Sequence, residues 1–335
     1  MLRVLTVCSK ATVLPLHGSM SPQDQKLIFA PVPHGHRKIV IATNIAESSV
    51  TIQDVVYVVD CGRAKLKMFD SAQNADSLQV DWVSRANVLQ RAGRAGRVRP
   101  GQVFKLYSKA REEMLAAHLP AEMLRCKLDS VLLRVLVLGH TDLALFLSSL
   151  PDPPPAAAVS LARRSLVQLG AVTESGTRLE LTGLGATLGR LPLEPQLGRL
   201  LLLGTVLSCL DPVLSVVTSL DSKPVFTVTS RPGELARAVD SLAAETCSDH
   251  LAIANAVACW DGLSSGGGRV GRAGAAQFCQ DHCLSSRVLA GMDRAKQQLV
   301  GELFKLGLTS NADPRNQQSN SNSACEVSLL ALDHK

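Results

Sequence analysis

Two short runs of β-branched residues, 38–42 and 55–59, are each bounded by polar or turn-forming residues, and they constrain the fold of the first third of the chain most. Runs of this length and composition are expected as parallel strands buried on both faces of an α/β layer. The segment between them, Thr43-Asn44-Ile45-Ala46-Glu47-Ser48-Ser49, leaves the first run at its C-terminal end. That is the edge where open parallel sheets receive ligands. Residues 65–83 alternate loosely and are expected as a hairpin projecting from the layer, after which Ser84 opens a helix.

Beyond Pro120 the pattern changes. Residues 120–138 read as helical, Pro151-Asp152-Pro153-Pro154-Pro155 forces an extended turn, and residues 156–169 form a further helix stopped by Gly170. Short β-like pieces at Ala171-Val172 and 178–181 follow, with two or three residues per strand, so helix, helix and a small wing suggest a winged-helix unit. From 193 to 308 the pattern is helical throughout, with helices expected at 197–210, 212–220, 234–244, 250–260 and 292–306. Residues 264–268 read as a loop, as do 271–276, and Asp249 as a helix N-cap. The expected domains are 1–115 (α/β), 116–188 (winged helix), 189–308 (all-α bundle) and 309–335 (polar tail).

With 335 residues, the chain has the length of two or three domains, and 46% hydrophobic against 19% charged residues excludes a disordered or coiled-coil chain. A net charge of +6 is too small to identify a nucleic-acid binder by itself. Nine cysteines without a dense framework favour a reducing, intracellular compartment; nucleus and cytoplasm are not distinguished. The N-terminus lacks the pattern of a signal peptide, and the apolar run 200–210 stops at Asp211-Pro212, too short to span a bilayer. Cys247, His250, Cys259, Cys279, His282 and Cys283 form no Cys-x-x-Cys pair, so buried thiols are expected and no metal site.

The sharpest local signal is Gln90-Arg91-Ala92-Gly93-Arg94-Ala95-Gly96-Arg97. Gln90 and Arg94 stand four apart and Arg97 three further on, so a continuous helix would carry all three on one face. Gly93 and Gly96 would each cost that helix about 1 kcal/mol relative to alanine. Residues 85–111 hold eight basic residues and no Asp or Glu. Long donors gathered without a carboxylate predict an anion, and arginine suits bidentate phosphate contacts. On spacing alone two readings stay open: a solvated or internally paired face, and a site for a triphosphate or a nucleic-acid backbone.

The sequence resembles the C-terminal half of an RNA helicase of the DEAH/RHA family within superfamily 2. Residues 42–52, Ala-Thr-Asn-Ile-Ala-Glu-Ser-Ser-Val-Thr-Ile, resemble its motif V, and residues 90–97 resemble its motif VI. Leu16-His17-Gly18-Ser19-Met20, Gln25 and Ile28-Phe29 also match the second RecA-like domain, and Phe278-Cys279 and Leu284-Ser285 fit the ratchet bundle. Ser48 or Ser49 replaces a more usual Thr and keeps a hydroxyl. The resemblance spans residues 16–308 and implies an α/β RecA-like domain with a parallel sheet incomplete at its N-terminus, then a winged helix and a helical bundle.

The resemblance implies ATP with Mg2+ as cofactor. Gln90 would position the attacking water, and Arg94 and Arg97 would act on the β and γ phosphates. Arg91 would meet a carboxylate in the first RecA-like domain. Asp54 or Asp60 would lie near the ribose and Phe29 would stack on the adenine. Ser19, Thr43, Asn44 and Thr51 would face the RNA backbone, and the hairpin 65–83 would wedge between bases or strands. RNA binding would be sequence-independent and salt-sensitive. A glycine-rich activator protein is an implied partner, and a membrane is not.

No Gly-x-x-x-x-Gly-Lys-Ser/Thr and no Asp-Glu-x-His sequence occurs in the chain. In the family those elements hold the phosphates and Mg2+ from the first RecA-like domain, so this chain is expected to carry only half of the motor. A fragment, a spliced isoform or an incomplete gene model would each account for that. The alternative is a non-catalytic RNA-binding or scaffold protein descended from a helicase.

Overall fold

The computed structural model describes residues 10–309 except 19, 21, 49, 71–74, 176–177, 228–232, 245 and 266–267. The chain forms two compact units, divided after Lys127. In the first, β1 (Ala11–Leu16) and β2 (Arg37–Ala42) pair in parallel with Leu14 opposite Val40. Strand β3 (Tyr57–Asp60) then leads into a hairpin of β4 (Arg63–Asp70) and β5 (Ala75–Trp82), and β6 (Gln102–Lys105) returns parallel to β3. Leu16, Ile28 and Ile52 are buried together beneath Leu14, Val40, Ile45 and Val55. These parallel pairs, with the helical turns around them, are the RecA-like α/β layer expected from the sequence.

The strands are less buried than their composition predicts. Val59 is 64% exposed, and Ile41, Tyr57 and Phe104 are also exposed. The cause is topological: each parallel ladder has two strands among the described residues, so fewer neighbours cover its side chains. The hairpin forms as predicted, in register from Arg63 opposite Trp82 to Asp70 opposite Ala75. Trp82 anchors its base: the Arg63 guanidinium lies 3.7 Å from the ring centroid, Arg111 lies 5.0 Å away, and Tyr107 packs edge-on at 6.0 Å.

The second unit begins with the helix Asp129–Val137, followed by Leu143–Ser148 and Ala156–Gln168. The helix expected from residue 120 starts only at Asp129; Glu122–Leu124 is a single 3-10 turn. Strands β7 (Val172–Ser175) and β8 (Arg178–Leu181) form the antiparallel wing; β8 has the expected bounds, and β7 runs on to Ser175 where the sequence suggested only Ala171-Val172. Asp129 is buried and accepts hydrogen bonds from Ser165 Oγ at 2.6 Å and Gln196 Nε2 at 3.0 Å, which ties the winged-helix helices to the helix Pro195–Val206.

The remaining helices run Leu210–Asp221, Glu234–Ala243, Asp249–Ser265, Gly268–Asp281 and Ser286–Lys305. Residues 271–276, expected as loop, lie inside a helix, where Arg and Ala between the glycines favour it, and of the loop expected at 264–268, Ser264, Ser265 and Gly268 are helical. The Leu251 N–H reaches Ser248 Oγ at 3.4 Å, so Ser248 and not Asp249 occupies the capping position. Val225, Leu242, Ala256, Leu284, Leu289 and Met292 centre the bundle core together with Cys279. Burial raises the pKa of the Cys279 and Cys283 thiols, as suits packed sulfur. Among the described residues no His, Cys, Asp and Glu group is arranged for a metal ion, and no helix is long and apolar enough to cross a membrane.

One polar joint crosses this bundle. The side chain of Lys296 is 5% exposed, and its Nζ lies 2.9 Å from Asp211 Oδ1, 3.1 Å from Ser215 Oγ and 3.6 Å from Asp261 Oδ2. It therefore pins three helices through charge. Burial raises the Asp261 pKa; Lys296 opposes that, and the charges of Asp293 and Asp211 reinforce it. Lys296→Met would strand these carboxylates, and urea denaturation is expected to show a loss of about 3 kcal/mol. Because the native Asp261 pKa lies above its unfolded value, its contribution to stability is lost as pH rises through the native pKa. Asp261→Asn is expected to flatten that part of the Tm-against-pH curve; an unchanged slope would show the carboxyl to be indifferent.

Candidate functional site

The site grows from one short helix, Arg85–Ala92. Ser84 and Asn87 cap it reciprocally: the Asn87 N–H donates to Ser84 Oγ at 3.3 Å and the Ser84 N–H to Asn87 Oδ1 at 3.2 Å. The helix stops at Ala92, Gly93 is its C-cap, and Gly96 adopts a left-handed φ of +78°. This corrects the expectation that Gln90, Arg94 and Arg97 share one helical face. Gln90 is on the helix, Arg94 is in the turn after it, and Arg97 follows the reversal at Gly96. Two low-propensity glycines and one positive φ end the 3.6-residue period before Arg97 is reached.

Arg91, whose carboxylate partner was expected in another domain, finds two inside its own unit. Its Nε donates to Glu47 Oε2 at 2.9 Å, and its Nη1 donates to Asp60 Oδ1 at 2.8 Å and to the Arg63 carbonyl at 3.3 Å. The side chains of Arg91, Glu47 and Asp60 are 14%, 9% and 3% exposed. Burial alone would lower the Arg91 pKa, but the hydrogen bonds and charges of Asp60 and Glu47 outweigh it and hold the guanidinium above its usual range. Tyr107 Oη donates to Asp60 Oδ2 at 3.4 Å; burial first, then the charges of Asp60 and Glu112, push its pKa up to about 12.

Glu47 is the residue on which this segment converges. Asn87 Nδ2 donates to Glu47 Oε1, Arg91 takes Oε2, and Arg94 Nη2 donates to the Glu47 carbonyl. Arg94 Nη1 reaches the Val50 carbonyl at 3.4 Å, and Arg94 Nε is buried without an acceptor. Arg94 thus has neutral acceptors and one buried donor that lacks an acceptor. Gln90 and Arg97 are exposed.

Thr43, Asn44 and Thr51 are exposed and flank the four-residue helix Ile45–Ser48, which contains Glu47. The Thr43 N–H donates to the Leu16 carbonyl at 3.1 Å, and the Thr43 and Asn44 carbonyls accept from Ala46 and Glu47. Ser19 lies outside the described residues. Phe29 ends a 3-10 turn and is 54% exposed. Lys38 Nζ joins the Ile28 carbonyl at 2.7 Å to Asp54 Oδ2 at 2.9 Å, while Asp60 is buried and occupied by Arg91, Tyr107 and the Gly62 N–H. The sequence reading did not single out Glu47 or Asn87. The signal was present: Asn87 and Arg91 stand four apart on one helix, so they point at a common acceptor.

Chemically, the uncommitted groups here are hydrogen-bond donors. The carboxylates nearest the arginines, Glu47 and Asp60, are both taken by Arg91, which leaves Gln90, Arg97 and the spare donor of Arg94 for an incoming anion.

Residues 1–99 match the model of the Helicase conserved C-terminal domain, and residues 194–253 match that of the Helicase associated domain (HA2), ratchet-like. The chain is 39% identical over 333 residues to the ATP-dependent DNA/RNA helicase DHX36 of Homo sapiens, covering 99% of this chain and 32% of that protein. It is 38% identical over 307 residues to the DExH-box ATP-dependent RNA helicase DExH3 of Arabidopsis thaliana, covering 91% of this chain and 25% of that protein. The chain therefore spans a third or less of the length of these relatives. By these similarities, and by its RecA-like, winged-helix and helical-bundle fold, the chain is homologous to the DEAH/RHA-type helicases of superfamily 2.

Proposed function

We propose that this chain supplies the second half of an ATP-dependent RNA helicase motor. Residues 1–115 act as the second RecA-like domain, 116–188 as the winged helix and 189–308 as the ratchet bundle. Gln90 orients the attacking water, and Arg94 and Arg97 neutralise charge on the transferring phosphoryl group. Thr43, Asn44, Thr51 and Ser19 hold the RNA backbone without reading sequence. Phe29 borders the adenine, and Asp54 is the carboxylate exposed enough to approach a ribose; Asp60 acts only by fixing Arg91.

The observation that carries this reading is the imbalance at motif VI. Arg94 is partly buried among neutral carbonyls with an unused Nε donor, and the exposed Gln90 and Arg97 lie four residues before it and three after it in a stretch of sequence free of Asp and Glu. A triphosphate supplies the charge this surface lacks. The donor set fits phosphate oxygens and does not fit Mg2+, because Glu47 and Asp60 are committed to Arg91. With no Gly-x-x-x-x-Gly-Lys-Ser/Thr sequence in the chain, the metal and most of the phosphate cradle belong to a partner half.

Fluorescence anisotropy with labelled single-stranded RNA is expected to show binding that weakens as salt rises, and weakens further in Asn44→Ala and Thr51→Ala. Sequence-selective binding, or none, would overturn the RNA assignment. The chain alone is expected to hydrolyse ATP no faster than background, and RNA-stimulated turnover abolished by Arg94→Ala would refute the half-motor reading. Arg91 and Arg97 should separate cleanly in urea. Arg91→Ala strands two carboxylates and is expected to cost about 3 kcal/mol, while Arg97→Ala, at an exposed position, stays within about 0.5 kcal/mol.

A further inference from the structure

We propose that the open face of the hairpin formed by β4 and β5 is a docking surface for an acidic amphipathic helix of a partner protein. Three cross-strand pairs make up this face: Arg63 opposite Trp82, Lys65 opposite Val80 and Lys67 opposite Leu78. Opposed residues of an antiparallel pair project from the same side of the sheet, as do alternate residues along one strand. One strand therefore carries a row of three cations, and its neighbour a row of three apolar side chains. Arg63, Lys65 and Lys67 are exposed, Leu78 is 63% exposed and Val80 59%. Residues 61–69 contain no Asp or Glu, and Asp81 pairs with Ala64 on the opposite side. Neither the phosphate-facing residues nor the RNA-facing turn proposed above includes this face.

The opposite side of the hairpin is already covered. Ala64, Leu66 and Met68 are half-buried there, and Leu66 and Met68 line a cavity shared with Leu115, Leu119 and Pro120. The hairpin thus packs one apolar side on its own unit and holds a second one outward. Lysines on a hairpin strand discourage pairing with further strands. That role asks nothing of Leu78 and Val80 on the neighbouring strand, and adjacent exposed apolar side chains rimmed by charge mark an interaction surface.

Charge and shape together select the occupant. The cations call for acidic groups, and the apolar row calls for a matching apolar stripe. RNA meets the first demand and not the second, because bases stack on aromatic rings. Leu78 and Val80 are aliphatic, while the Trp82 ring already has the Arg63 guanidinium 3.7 Å from its centroid and Tyr107 edge-on at 6.0 Å. A helix meets both demands. From Arg63 to Lys67 the row spans about 14 Å, the length of about nine helical residues, so an i, i+3, i+4, i+7 stripe covers Trp82, Val80 and Leu78 with acidic residues toward the cations. Arg111, 5.0 Å from the Trp82 centroid, adds a cation at the base of the hairpin.

The test is fluorescence anisotropy of the full chain with a fluorescein-labelled peptide of about 14 residues, leucine along one helical stripe and glutamate elsewhere. Two control peptides carry lysine in place of glutamate, or serine in place of leucine, and each is expected to bind about 10-fold or more weakly. Lys65→Glu is expected to weaken binding of the first peptide about 10-fold or more, and Leu78→Ser combined with Val80→Ser about 5-fold or more. The peptide controls need no substitution, so they decide the matter even where a variant folds poorly. Saturating unlabelled single-stranded RNA at constant ionic strength is expected to leave the peptide affinity within about 2-fold. Displacement by RNA assigns the face to nucleic acid and overturns the proposal. Equal binding of the serine peptide marks plain attraction of a polyanion and also overturns it, as does undiminished binding by folded Lys65→Glu or no binding by the unaltered chain.

Discussion

The ion triad of Arg91, Glu47 and Asp60 sets what the rest of the first unit can do. A guanidinium this deep in the protein is tolerated only because two carboxylates and a carbonyl accept from it, and each carboxylate comes from a different stretch of chain. Glu47 lies in the turn after β2 and Asp60 ends β3, so one side chain from the helix Arg85–Ala92 joins segments that no strand pairing joins. The planar fork matters as much as the charge: Nε and Nη1 diverge toward separate acceptors, which a lysine ammonium could not serve with the same geometry. Tyr107 and the Gly62 N–H complete the shell around Asp60, and the base of the hairpin is held by the same contacts.

Much of this architecture was legible in the sequence where a period repeats without interruption. The β-branched runs became parallel strands, the alternation at residues 65–83 became a hairpin, and the leucine-rich stretches after 193 became helices. Legibility failed where a backbone conformation had to be inferred from a pattern that glycine interrupts. A helical reading of Gln90, Arg94 and Arg97 assumed that the period continues past Gly93, and the positive φ at Gly96 ends it. The opposite error occurred at 271–276, where glycines suggested a loop and neighbouring helix formers prevailed. Glycine permits a reversal without requiring one, and tertiary surroundings decide.

Polar joints were the least legible feature, because they depend on pairs far apart in the chain. Asp129 serves Ser165 and Gln196, and Lys296 serves Asp211, Ser215 and Asp261, yet no local spacing announces either. Composition does show why such joints carry weight here. With few aromatic residues, the bundle packs largely through leucine, valine and alanine, whose contacts slide more easily than they lock. A buried charge with fixed partners selects one register among packings of similar apolar burial.

The same reasoning separates the arginines of motif VI by what they lack. Arg91 has more negative charge around it than it carries, so it is an interior strut. Arg94 has acceptors without charge, and its unused Nε is a cost the protein bears as long as no anion arrives. Arg97, exposed beyond the left-handed Gly96, bears no such cost and is free to reorient. Three chemically identical side chains within seven residues are thereby given three degrees of commitment. The sorting is done by Glu47 and Asp60: by neutralising Arg91 completely, they leave the remaining charge of the segment concentrated on the two arginines that follow the helix.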